Sequence, residues 1–214
     1  YYNNSDVRLE EMPVPEIGPG ELLLKVEASG LCGSDVMEWY RIQRAPMVLG
    51  HEVSGEVVQV GAGVEQYKEG DRLVVTHHVP CNACHWCLSG RHTDCDTLHT
   101  TGFDPGGFAE YLRIPQINVN RGVFPIPDHV GYDEASITEP LACVYRGQRR
   151  ANLQPGQNVL VLGSGLAGLI HINLARALGA GRIIATDMVD YRLDAARKLG
   201  ADVTFSAKED VPAR

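Results

Sequence analysis

Apolar and polar positions alternate through much of the first half of the chain. ELLLKVEASG, residues 21–30, alternates well enough for a strand running into a turn at Gly30. VSGEVVQVGAGVEQYKEGDRLVVTHH, residues 53–78, holds two Val-rich alternating runs, broken by Gly61 to Gly63 and by Lys68 to Asp71. Two such runs predict a β-hairpin or part of a small barrel. FAEYLRI, residues 108–114, predicts another short strand, and DVMEWYRI, residues 35–42, a helical turn. PVPEIGPGE, residues 13–21, is too rich in Pro and Gly for regular structure, and the Pro-punctuated stretch after Ile114 predicts little of it.

The period then changes. Apolar residues fall at helical intervals from Ala135 to Tyr145, and Arg146, Arg149 and Arg150 suit a helix C-terminus. NVLVLG, residues 158–163, is a continuous apolar run of the kind buried on both faces of a parallel sheet. A helix from Leu166 to Leu178, a strand RIIATD at 182–187, a second helix and a third short strand follow. The change of character places a boundary near residues 145–153, giving one domain over 1–148 and a second over 149–214.

Composition narrows the function classes. The formal net charge is -8, and no basic run supplies the clustered Lys/Arg face that nucleic acid requires. No apolar run approaches the roughly 20 residues of a membrane span. YYNNSDVRLEE at the N-terminus has neither a charged nor an apolar leader region. The expectation is a soluble, cytoplasmic protein acting on a small molecule, with no nucleic-acid or membrane partner.

Two short motifs carry candidate chemistry. In GLCGSD, residues 30–35, and GHE, residues 50–52, a cysteine and a histidine emerge from Gly-flanked turns, each with an acidic residue close behind. Thiolate, imidazole and carboxylate are zinc ligands, and a catalytic site uses three of them so that one position stays open. Cys32, His51 and one or both of Glu52 and Glu139 could supply that set. The alternative is that Cys32 is a small packing residue and His51 a satisfied turn residue. Glu139, just before Pro140, stands on an otherwise apolar helical face, where a carboxylate is costly unless something positive meets it. Cys143 would share that face as an alternative thiolate ligand, with a buried packing role the preferred reading.

Four of the six cysteines crowd into fifteen residues: Cys81, Cys84, Cys87 and Cys95, separated by two, two and seven residues. Four thiolates close a tetrahedral shell with no open position, the structural form of zinc binding. An iron–sulfur cluster or two disulfides are the alternatives, and His85 or His92 could replace a sulfur. Further along, Gly163, Gly165 and Gly168 form GxGxxG between a predicted strand and a predicted helix, where backbone can approach a pyrophosphate. Asp187 ends the next strand, placed to accept hydrogen bonds from ribose hydroxyls and so to favour NAD over NADP; the alternative is a strand-end cap. Leu166, at the helix start, and Arg192, beyond Asp187, complete the candidate cofactor set.

Taken together, GLCGSD, PMVLGHE, the CxxCxxC loop closed by Cys95, EPL at 139–141 and GSGLAG with Asp187 resemble the zinc-dependent medium-chain alcohol and polyol dehydrogenases. The resemblance implies a GroES-like β-barrel catalytic domain followed by an α/β Rossmann domain, of which only the first half is present. It implies one catalytic zinc, one structural zinc and NAD, in a parent protein that is a homo-oligomer. EPL resembles the sorbitol and threonine dehydrogenase branches, in which Glu139 matches a zinc ligand position, Glu52 an acid that enters or supports the metal shell, and Ser34 the hydroxyl that relays the substrate proton. Those branches usually carry histidine where this chain has Met37. The implied activity is hydride transfer between a secondary alcohol or polyol and NAD. The alternatives are threonine 3-dehydrogenase-type oxidation and a non-catalytic dinucleotide-binding fragment. Trp39 and Phe103 are candidate substrate-lining residues, with packing the simpler role for each.

Overall fold

The computed structural model describes residues 1–208. The chain divides into two compact units, Tyr1–Thr138 and Glu139–Arg214.

The first unit is built on five antiparallel strands: β1 (Leu22–Gly30), β2 (Glu52–Val60), β3 (Arg72–Thr76), β4 (Tyr111–Ile114) and β5 (Val123–Pro125), in the order β4-β1-β2-β3-β5. Alternation sends one face inward, so Leu22, Leu24, Val53, Val57, Leu73, Val75, Leu112 and Ile114 form a fully enclosed core. The predicted hairpin is β2 with β3, in register from Glu52↔Thr76 to Glu56↔Arg72. Short helices decorate the loops: α1 (Glu38–Arg41), α2 (His85–Leu88), α3 (Asp96–Thr100), α4 (Gln116–Arg121) and α5 (Tyr132–Ser136).

The stretch after Ile114 is more ordered than its prolines suggest. Pro115 begins α4 rather than breaking it, and the buried Asn118 side chain donates to the carbonyls of Thr76 and His77 at 2.9 and 3.0 Å. β5 then pairs with β3 through Val75↔Val123. Both elements depend on partners about forty to fifty residues away in sequence, which no local pattern reveals.

α6 (Thr138–Arg150) begins one residue before the second unit, which continues through β6 (Val159–Leu162), α7 (Leu166–Ala177), β7 (Ile183–Asp187), α8 (Asp190–Lys198) and β8 (Val203–Ser206). The three strands are parallel, in the order β6-β7-β8. Ile172 and Ala175 of α7 and Ala196 of α8 pack on Val161, Ile183 and Ala185, where small residues bring helix and sheet close. The helical pattern expected from Ala135 resolves into α5 and α6, so Glu139 lies in the first turn of α6 rather than mid-helix. Pro140 is tolerated there because first-turn amides have no intrahelical acceptor. Cys143 is exposed rather than buried, since α6 turns Val144 and Gln148 inward instead.

Candidate metal and dinucleotide sites

Strand pairing builds the first site. Gly30↔Glu52 is the last pair of the β1–β2 ladder, so the chain leaving β1 and the chain entering β2 emerge at the same end of the sheet. Cys32 and His51 are therefore neighbours although nineteen positions apart in sequence. Gly50 turns the chain into His51 with φ +89°, and a Cβ there would strike the Phe108 ring and backbone. One ligand atom from each of Cys32, His51 and Glu52 lies within 4.8 Å of the other two.

A buried carboxylate braces this set. Asp35, 1% exposed, accepts from the Cys32 amide through Oδ2 at 3.1 Å, and its Oδ1 is 3.5 Å from His51 Nδ1. Burial works against charge on the His51 ring, but Asp35 and Cys32 outweigh it and raise the His51 pKa to about 9. In the metal-free chain the imidazole thus holds a proton that a metal would displace. The His77 ring packs 4.8 Å from that of His51, and burial, aided by its charged neighbours, holds it neutral with a pKa near 3. Ser34 follows Cys32 in a short 3-10 turn, Gly33–Val36, and its hydroxyl is 2.9 Å from Arg41 Nη2.

Neither Asp35 as the brace of His51 nor Arg41 was evident as a site residue from sequence. The acid of GLCGSD was a signal for the first; nothing in the sequence marks the second. Trp39 is 72% exposed, its ring 5.9 Å from that of Tyr40, while Phe103 packs against the core of the first unit. In the second unit, Cys143 Sγ lies 3.8 Å from Glu139 Oε1.

The second cluster is Cys81, Cys84, Cys87 and Cys95, whose four sulfurs lie within 4.8 Å of one another. Sγ of Cys87 is 3.5 Å from that of Cys84 and 3.9 Å from that of Cys81. A disulfide needs about 2.05 Å, whereas sulfurs about 2.3 Å from one tetrahedral centre sit roughly 3.8 Å apart. The spacing fits a zinc ion and excludes disulfides within this set. Amides help hold the sulfurs: those of Ala83 and Cys84 donate to Cys81 Sγ, and that of Cys81 to Cys95 Sγ. The Cys81 amide, foremost, lowers the Cys95 thiol to about 6, while burial pushes Cys87 up to about 12. His85 does not belong to the cluster; its ring packs against Trp86 at 5.2 Å.

In the second unit, Gly163 follows β6, Gly165 caps α7 and Leu166 is the first residue of that helix. A Cβ on Gly168 would meet the Gly163 carbonyl, so glycine is required there for the helix to approach the turn. Around Gly165 the space is open, as a backbone facing a pyrophosphate needs. Asp187 is engaged more fully than a free ribose acceptor: Oδ2 accepts from the Ser164 amide at 2.8 Å and Oδ1 from the Val189 amide at 2.9 Å. These bonds, the Ser164 amide foremost, lower its pKa. Arg192 Nη1 is 3.8 Å from Oδ2. A carboxylate offers about four lone-pair sites, so ribose acceptance and the cap are compatible.

Residues 18–128 match the alcohol dehydrogenase GroES-like domain family, and residues 167–214 the zinc-binding dehydrogenase family. The chain belongs to the zinc-dependent alcohol and polyol dehydrogenases. Its architecture is the GroES-like domain of that family followed by part of a Rossmann-type fold. A sorbitol dehydrogenase of Bacillus subtilis (strain 168) is 37% identical over 97% of this chain and 60% of that protein. An L-threonine 3-dehydrogenase of Rhizobium etli (strain CIAT 652) is 37% identical over 94% of this chain and 59% of its own length. A protein of Sinorhizobium meliloti 1021, described as a zinc-binding dehydrogenase and solved with NADP, superposes with a TM-score of 0.86 at 31% identity, over 98% of this chain and 61% of that one. The chain thus spans about 60% of the length of the curated dehydrogenases it matches.

Proposed function

We propose that this chain carries the zinc-binding catalytic domain, residues 1–148, and the first half of the dinucleotide-binding domain, residues 149–214, of an oxidoreductase moving hydride between a secondary alcohol or polyol and NAD. The observation that carries the reading is the convergence of Cys32, His51 and Glu52 on one point, braced by Asp35. Thiolate, imidazole and carboxylate suit zinc, and three ligands leave a position for substrate. Glu139 enters the proposed ligand set from the sequence, as a carboxylate among apolar helical positions and as the acid of EPL. Cys81, Cys84, Cys87 and Cys95 hold a structural zinc. Gly163, Gly165, Leu166, Gly168, Asp187 and Arg192 bind NAD.

When bound, zinc supplies a Lewis acid and NAD a hydride acceptor. The chain's own residues do the rest. Ser34 takes the substrate proton and passes its own outward. Asp35 orients His51 by fixing Nδ1, which leaves the other ring nitrogen as the ligand atom. Asp187, placed for the ribose hydroxyls, disfavours an added phosphate there and so favours NAD, unlike the NADP complex of the S. meliloti protein.

Among the described residues no helix is long and apolar enough to cross a membrane. Clustered thiols suited to metal fit a reducing, cytoplasmic location, and the parent protein is proposed to be a homo-oligomer.

The test is NAD reduction, followed by absorbance, with secondary alcohols, polyols and threonine, with and without a zinc chelator. Chelator-sensitive turnover of alcohols or polyols supports the reading. Turnover of threonine alone moves it to the amino-alcohol branch. A folded, zinc-loaded chain that binds NAD without turnover leaves either a dinucleotide-binding role or a requirement for the second half of the dinucleotide-binding domain.

A further inference from the structure

Arg41 is a buried cation that the proposed chemistry does not yet use. It ends the short helix α1, is 8% exposed, and turns back onto the segment that carries Cys32. Its Nε donates to the Ser34 carbonyl at 3.0 Å, and its Nη2 to the Ser34 hydroxyl at 2.9 Å and to Asp35 Oδ1 at 3.2 Å. The Tyr40 ring lies under the guanidinium, 4.9 Å away. One side chain therefore holds both the proposed relay hydroxyl and the carboxylate oxygen that faces His51.

We infer that Arg41 is the positioning residue of this site, setting the direction of the Ser34 proton relay and the placement of the Asp35 brace on His51. The inference rests on the proposed dehydrogenase reading and deepens it. A serine hydroxyl has one donor and two acceptor sites, whereas a guanidinium has donors only. The Arg41 bond must therefore occupy an acceptor site of Ser34 Oγ, and the hydroxyl proton cannot point at Arg41. One acceptor site and one donor remain, which is the set a relay needs. The substrate O–H bond breaks as its proton bonds to Oγ; the original Oγ proton leaves to water, and Ser34 ends neutral. The adjacent positive charge stabilises Oγ whenever the proton leaving runs ahead of the proton arriving. The same Nη2 shares Asp35 Oδ1 with His51, so losing Arg41 leaves that oxygen to the imidazole alone and changes the ligand's basicity.

The experiment compares wild type, Arg41→Met, Ser34→Ala and the double variant. Arg41→Met is expected to lower kcat about a hundredfold, the scale of a lost proton relay, with KM changing less than about threefold. In the Ser34→Ala background the same substitution should cost less than about threefold more, because the hydroxyl it acts on is gone. Arg41→Lys should recover part of kcat, and it replaces Arg41→Met if that variant fails to fold. A second readout needs no turnover: Co2+ substituted for zinc, with visible bands compared between variants. Bands from the four-cysteine cluster are common to all and cancel in the difference. Those from the Cys32, His51 and Glu52 set should shift in Arg41→Met and stay in place in Ser34→Ala. Coincident bands in wild type and Arg41→Met, or a kcat loss that adds in full to that of Ser34→Ala, overturns the inference. The Co2+ bands need no turnover, so they decide whether Arg41 positions the site even where the zinc-loaded chain, which spans about 60% of its relatives' length, does not turn over alcohols.

Discussion

Gly30, the last residue of β1, pairs with Glu52, the first of β2, and the Glu52 carboxylate occupies the space a side chain on Gly30 would need. This contact is where two motifs distant in sequence become one site. Glu52 is 2% exposed, so it has little room to retreat. Gly30→Ala is expected to displace the carboxylate, cost about 1–3 kcal/mol by overpacking, and remove the zinc of this set while the four-cysteine zinc stays. Metal analysis together with urea unfolding checks both effects. Full zinc content in a variant of unchanged stability would contradict the packing.

The two cysteine sites should separate by function. Cys32→Ser is expected to abolish turnover while the four-cysteine cluster keeps its metal. Cys81→Ser, by contrast, should lower the melting temperature and release metal, because structural zinc binding is coupled to folding. A Cys81→Ser protein that binds metal and melts like the parent would disprove the structural role.

The Asp35–His51 contact predicts a pH dependence of the metal-free chain. Its pKa of about 9 lies above the ordinary value of 6.5, so protonated His51 stabilises the fold. That contribution is complete below the ordinary value and is lost as pH rises through about 9. Asp35→Asn should return the His51 titration toward its ordinary value, read by NMR of the ring protons after chelation. Because zinc must displace that proton, zinc affinity at this site should rise with pH until His51 is deprotonated.

Asp187 has the opposite sign. Its lowered pKa means that its contribution is present above the ordinary carboxylate range and is lost as pH falls through the folded value. Asp187→Ala leaves the amides of Ser164 and Val189 without their acceptor and is expected to cost about 1–3 kcal/mol at neutral pH. The difference from wild type in urea unfolding should shrink toward acid. The same variant should bind NAD more weakly and discriminate less against NADP, measured by titration with each.

Much of this protein is legible in its sequence because its strongest signals are local. Alternation gave β1, β2 and β3, and an apolar run followed by GxGxxG gave β6 and α7, although burial on both faces did not follow: Leu160 and Leu162 of β6 are 56% and 76% exposed. Cysteine spacing alone brought Cys81, Cys84, Cys87 and Cys95 together, since short loops leave few other ways to aim four sulfurs. What tertiary structure decided is everything set by pairing across long separations. β5 exists because β3 offers it a ladder, and α4 is held in place by Asn118 against the end of β3. The convergence of Cys32, His51 and Glu52 follows from the β1–β2 register, and a ladder shifted by one residue would turn Glu52 to the other face. Ser164 acquires its role only when the chain folds back onto Asp187, and Arg41, though six and seven residues from its partners, only when burial encloses it with them, because a donor's worth depends on which acceptors are buried beside it.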